Sequence, residues 1–321
     1  MWLVAASHSS VPVQIAYLAR YYYQGKRHSY AHIYLIDSDG AHQRQLTSGN
    51  STESTPIWLD HNHIGYAQFI PGVWGSRYHQ EPTVKRTVRL LTMDVRSGRT
   101  QLLKQFVAQV SESETSQQNM KLSIATFKDT DEGWKSQGTS YRLQKAGRSR
   151  WTANPASYRD TFSDDDADGM DYLGPCTRFG IRFSTKTTGP QPDQLIWNGK
   201  TVDFGDDRLH LAWFYPESPS KVLAINYDNA WADSEGTECD LTELDLTKRS
   251  CRLLVKNVVF LKVDPIRHVW MGMEDDPHPT VPLGENRCVW AHWLFAGNWL
   301  TGSRRQIVDG IVDVYNYRFR P

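Results

Sequence analysis

Residues 32–47 read "HIYLIDSDGAHQRQLT". A short apolar-aromatic run, Ile33 to Ile36, is followed by Asp37-Ser38-Asp39-Gly40 and then a second run ending in Leu46-Thr47. Asp-Gly supplies the positive φ that a tight turn between antiparallel strands demands, so the stretch predicts a β-hairpin. Whether it is one hairpin in a mixed fold or one copy of a repeat decides the architecture.

The hairpin recurs. "LLTMDVRSGRTQLL" (90–103) and "LTELDLTKRSCRLLV" (241–255) repeat the strand, the Asp and the turn. "YRLQKAGRSRW" (141–151) and "QLIWNGKTVDF" (194–204) keep the turn without the Asp. Turns therefore fall near residues 40, 98, 147, 199 and 249, roughly 50 residues apart, with a sixth at Gly302-Ser303 competing with a register at Gly310. Between the hairpins lies a second element, an aromatic strand, a turn and an apolar strand: "PIWLDHNHIGYAQF" (56–69), "DYLGPCTRFGIRF" (171–183) and "LAWFYPESPSKVLAINY" (211–227). Four-stranded units at this period predict an all-β chain, a β-propeller of four-stranded antiparallel blades. Six blades are expected, with seven as the alternative, and residues 1–321 form one domain. An ordinary β-sandwich with coincidental turns is the competing reading. Residues 13–47 supply three strands of the first blade, and two segments compete for the fourth: "MWLVAA" at the N-terminus and "IVDVYNYRF" (311–319), of which the second is favoured.

Residues 32–60, "HIYLIDSDGAHQRQLTSGNSTESTPIWLD", resemble the TolB-type, WD40-like propeller repeat through Tyr34, Asp37, Asp39, Gly40, Leu46, Thr47, Pro56 and Trp58. Where that family places Ser-Pro-Asp-Gly after the Trp, this chain has Leu59-Asp60-His61-Asn62. The resemblance implies a scaffold that engages a protein or polymer through one face, and a periplasmic or extracellular setting. The N-terminus itself shows no charged n-region and no long apolar run, so it does not read as an export signal.

Lys+Arg and Asp+Glu both number 36, so no basic field points to nucleic acid. No apolar stretch approaches a membrane span. Cys176, Cys239, Cys251 and Cys288 form no C-x-x-C pair. With the turn centred near Lys248-Arg249, Cys251 is expected opposite Leu246 and out of reach of Cys239, so free thiols are expected. A monomer is expected.

In a propeller the loops joining the second and third strands of each blade, and those joining one blade to the next, open on one face. Here they are rich in aromatic and cationic residues: Tyr22, Tyr23, Lys26, Arg27 and His28; Trp74, Arg77, Tyr78 and His79; and Trp231. Stacking and charge-assisted hydrogen bonding suit such loops to a protein or oligosaccharide ligand. "SDDDADGMD" (163–171) sets Asp164, Asp166 and Asp168 at alternate positions before Gly169, with Asp171 following. That pattern suits Ca²⁺. Pro175 stands where a helix–loop–helix site needs Glu, so a stand-alone calcium loop is the expectation. His61-x-His63 falls in a tight turn and is not expected to hold metal, and there is no G-x-S-x-G. The chain reads as a non-enzymatic binding scaffold. The alternative is a carbohydrate-active lyase or hydrolase using acidic and His residues, with no catalytic residue assigned.

Overall fold

The computed structural model describes residues 12–21, 30–72, 85–117, 119–130, 133–147, 150–156, 178–184, 194–202, 204, 210–227, 238–275, 281–282, 288–289, 292–308 and 312–320. These are strands and turns, with one 3-10 turn at Arg178–Gly180 and no α-helix.

Within each sheet neighbouring strands pair antiparallel, mostly in chain order. The first sheet holds β1 (Gln14–Tyr21), β2 (His32–Asp37) and β3 (Arg44–Gln45). The second holds β4 (Thr52–Glu53), β5 (Ile57–Trp58), β6 (His63–Ile70), β7 (Arg86–Asp94) and β8 (Thr100–Ala108). The third is β9 (Val110–Ser116), β10 (Lys121–Thr130), β11 (Gly133–Ala146) and β12 (Arg150–Ala156). The fourth is β13 (Ile181–Ser184), β14 (Gln194–Trp197) and β15 (Lys200–Val202). The fifth runs β16 (His210–Ser218), β17 (Lys221–Tyr227), β18 (Glu238–Asp245) and the first part of β19 (Ser250–Asp264).

The latter part of β19 then opens the sixth group, with β20 (Val269–Asp275), β23 (His292–Asn298) and β24 (Ser303–Gln306). A small hairpin, β21 (Val281–Pro282) and β22 (Cys288–Val289), lies between β20 and β23. The C-terminal strand β25 (Val312–Phe319) returns to pair with β1, Tyr17 opposite Tyr317. It is this strand that supplies the fourth member of the first sheet.

The repeated turns have a common backbone cause. Gly40, Gly98, Gly147, Gly199, Arg249 and Gly302 all adopt positive φ, at the six turn positions expected from sequence. At Asp94 and Asp245 the repeated Asp builds the turn. Asp94 Oδ1 accepts the N–H groups of Arg96 and Ser97 at 2.8 and 3.0 Å, and Asp245 Oδ1 those of Thr247 and Lys248 at 3.1 and 2.9 Å. In the sixth group Asn298 takes this place, accepting from Leu300 and Thr301. The β18–β19 turn is centred one residue earlier than expected, between Thr247 and Lys248, so Cys251 sits opposite Leu244 rather than Leu246. Cys239 is buried and Cys251 exposed, and no disulfide joins them.

A strand of alternating side chains has two faces, and here both faces of most sheets are apolar and covered by a neighbouring sheet. Ile15, Tyr17 and Ile36 of the first sheet pack on Met271, Met273 and Leu294 of the sixth group. The other face, with Leu18, Ile33 and Leu35, packs on Trp58, Ile64 and Tyr66 of the second. The second sheet's far face meets the third through Val88, Leu90, Ile124 and Leu143. Ile181 and Leu195 join the fourth sheet to Val222 and Leu244 of the fifth, whose other face meets Trp270 and Trp299 of the sixth. Fourth, fifth, sixth, first, second and third thus stack in succession. Strands at one edge of three sheets also meet: Trp58 Nε1 donates to Arg318 O at 3.2 Å, and Arg318 Nη2 to Thr115 O at 3.3 Å.

Candidate binding face and its stems

Strand alternation fixes where the loops emerge. In an antiparallel meander the connection from second to third strand, and that from the outer strand to the next sheet, leave at the same end. The candidate binding residues Tyr22, Tyr23, Lys26, Arg27 and His28 (within 22–29), Trp74, Arg77, Tyr78 and His79 (within 73–84) and Trp231 (within 228–237) lie outside the described residues. So do Asp164, Asp166, Asp168 and Asp171, within 157–177. Their stems are described: Tyr21 and Tyr30, Gly72 and Lys85, Tyr227 and Glu238, and Ala156 and Arg178. The first three pairs bracket second-to-third-strand connections, and the fourth brackets the passage from the third sheet to the fourth.

The structure brings two of these stems into contact. Gly72 donates its N–H to Asn50 O at 2.7 Å, and Arg86 Nη1 donates to Pro71 O at 3.1 Å and to Gly72 O at 3.3 Å. A Cβ at Gly72 would lie 2.3 Å from Tyr30 Cδ1 and 2.9 Å from Thr52 Oγ1. Only glycine lets the end of β6 approach Tyr30 this closely. The stem residues Tyr30 and Gly72 therefore meet at one joint between the first two sheets.

Beneath that joint is a polar centre that the sequence reading did not single out. Glu53 is 2% exposed, and four side-chain donors converge on its carboxylate. Oε2 receives Thr47 Oγ1 at 2.8 Å and His32 Nδ1 at 2.9 Å; Oε1 receives Ser51 Oγ at 2.7 Å and Gln68 Nε2 at 3.3 Å. Thr47 Oγ1 in turn accepts the N–H of Ile33 at 2.9 Å. The donors come from β2, β6 and the passage between the first two sheets, so the carboxylate ties these elements together. Nearby Tyr66 is buried, and burial, reinforced by the Glu53 charge, pushes its phenol pKa well above the ordinary range. Because Nδ1 of His32 is engaged by Glu53, the imidazole's orientation is fixed. The signal in the sequence was an acid, Glu53, in the Ser/Thr-rich stretch "TSGNSTESTP".

The opposite end carries the hairpin turns. Asp60 Oδ1 accepts the N–H groups of Asn62 and His63 and meets His63 Nδ1 at 2.8 Å. Partial burial opposes ionisation of Asp60, but these bonds and the His63 side chain outweigh it and hold the carboxyl below its ordinary pKa. His63 is thus a turn residue. Glu217 behaves in the other sense: burial, together with the like charge of Glu243, raises its pKa, against the opposing pull of His268, Lys221 and Arg252. Among the described residues no group of three or more His, Cys, Asp or Glu is arranged to hold a metal, and no helix is long and apolar enough to cross a membrane.

No protein-family model matches the chain, and no curated protein matches it. Solved structures do. TolB from Acinetobacter baumannii is 11% identical, with a TM-score of 0.45 over 96% of this chain and 67% of that one. The β-propeller domain of the trilobed protease from Pyrococcus furiosus is 12% identical, with a TM-score of 0.43 over 96% of this chain and 98% of that domain. An acylaminoacyl peptidase from Pyrococcus horikoshii is 14% identical, with a TM-score of 0.48; the chain spans about half, 52%, of its length. Activities named there belong to those proteins. The recurring turn, the antiparallel meanders and the face-to-face stacking of the sheets are those of a β-propeller fold.

Proposed function

We propose that this chain is a six-bladed propeller, closed by β25 in the first blade, which binds a protein or oligosaccharide ligand on the face carrying loops 22–29, 73–84 and 228–237. The observation behind this reading is the shared end from which those loops spring, with two of their stems locked together at Gly72 and Tyr30. A rigid frame bearing aromatic and cationic loops suits recognition, because the frame removes the ordering cost that free loops would bring to binding. Tyr22, Tyr23, Lys26, Arg27, His28, Trp74, Arg77, Tyr78, His79 and Trp231 are the contact residues in this reading. The resemblance of the repeat to exported TolB-type proteins makes an extracytoplasmic setting part of it.

The test is binding of acidic peptides and acidic oligosaccharides by calorimetry, with Trp74→Ala and Arg77→Ala as variants. Saturable binding that both substitutions weaken supports the reading; no binding by any member of the panel counts against it. The loop containing Asp164, Asp166, Asp168 and Asp171 is proposed to hold Ca²⁺ on the same face. Its test is calcium titration of metal-stripped protein, where Asp166→Ala should abolish the heat.

A second reading, a carbohydrate-active enzyme, draws on the carboxylate-oriented His32 at the base of the same loops. Consumption of a polysaccharide, lost in His32→Asn while binding persists, would favour it over the scaffold.

A further inference from the structure

Among the described residues each group of strands ends in an outer strand, and most of those edges are blunted. β3 has two residues and β15 three. β24 has exposed Arg304 and Arg305, β12 contains Pro155, and β19 is held at both ends because it continues into the sixth group. Short strands, charges and proline are the devices that keep sheet edges from pairing with other chains.

β8 uses almost none of them. It is nine residues long, Thr100–Ala108, has no proline, and ends its sheet. Its one charge, Lys104, is turned onto the third sheet, with Nζ 4.5 Å from the Tyr141 ring centroid. Leu103 is the extra residue where the register with β7 shifts, and it packs with Phe106 and Ala108 against the core shared with the third sheet. With Leu103 out of the alternation, Thr100, Leu102, Gln105 and Val107 share the other face. On it Leu102 is 52% and Val107 64% exposed. The preceding sheet leaves this face uncovered because β3 is so short.

The edge is self-complementary. In an antiparallel pairing of two copies about a two-fold axis through Gln105, Leu102 of each copy lies beside Val107 of the other, and Lys104 lies beside Phe106. The exposed apolar side chains are covered in two symmetric Leu102–Val107 pairs, and no lysine faces its own copy. We propose that β8 is the contact edge of a homodimer, in which two propellers join their second sheets edge to edge. The monomer expected from sequence is the opposite outcome of the test below. An interface of one strand per subunit is small, so the dimer is a weak one, formed in the micromolar range.

Sedimentation equilibrium of the full chain across the micromolar range tests it, alongside amide hydrogen exchange at low and high protein concentration. The expected result is a reversible monomer–dimer equilibrium, with amides of residues 100–108 gaining protection as concentration rises. Val107→Lys should weaken association by about tenfold or more, by burying an uncompensated charge beside Leu102. Leu253→Lys, on β19, should leave it unchanged. Val107 is exposed, so an unaltered thermal melt will show that the variant is folded. A monomer at every concentration with no change in exchange overturns the proposal. So does a dimer that survives Val107→Lys or is lost in Leu253→Lys.

Discussion

Replacing Glu53 by Gln keeps the shape of the side chain and removes its charge, which isolates what the buried carboxylate does. In the native chain its two oxygens accept from Thr47, His32, Ser51 and Gln68. The amide keeps one oxygen and turns the other into a donor, so two of the four partners then face an N–H₂ group. Each buried donor left without an acceptor costs about 1–3 kcal/mol, giving roughly 4 kcal/mol for the pair. Urea unfolding followed by tryptophan fluorescence reads it directly. With an m-value of about 3 kcal/mol/M or somewhat more for a chain of this size, the midpoint should fall by about 1 M. A double-mutant cycle adding His32→Ala should show the two losses to be strongly non-additive, since both break the same contact. A loss below about 1 kcal/mol, or simple additivity, would refute the claim that this carboxylate gathers the joint beneath the loops.

Glu217→Gln should act in the opposite direction. Its folded-state pKa is raised by burial and by Glu243, so ionisation opposes folding. Stability is therefore lost as pH rises from the ordinary carboxyl range through the raised value, and the substitution should stabilise the protein at neutral pH and do little in acid. Melts at the two pH values check the sign. Gly297→Ala should be costly, because its Cβ would lie 2.3 Å from Ser303 O and 2.4 Å from Trp270 Nε1. One to three kcal/mol is the approximate scale for such overpacking, measurable by the same urea titration.

The turns were legible because their chemistry is local. Gly40, Gly98, Gly147 and Gly199 announce positive φ by residue type, and Asp94 and Asp245 bond to N–H groups two and three residues ahead. The pairing of β25 with β1 was legible because 311–319 is a strong strand with no other place in the count. The Glu53 centre was not, because its partners His32 and Gln68 lie 21 and 15 residues away and nothing in "TSGNSTESTP" indicates which side chains close over the acid. The division of β19 between two sheets was hidden for a related reason. Ser250–Asp264 contains no glycine or proline; Asn257, at positive φ with its N–H on Asp240, marks only a register shift, and pairing passes from β18 to β20 at Val259. The candidate binding residues follow from sequence alone, while their stems follow from strand order.

The pairing of Ile15 with Phe319 bears on how the protein is made. The second and third sheets are assembled from neighbouring segments and can form as the chain emerges from the ribosome. The first sheet cannot, because its fourth strand is synthesised only after all five other groups of strands. Until then the β1 edge that β25 will occupy stays open, and an unpaired strand edge is a template for other nascent chains. A stop codon ahead of Val312 would therefore leave every site on the loops encoded, yet deprive the first sheet of its partner strand and Trp58 of its acceptor at Arg318.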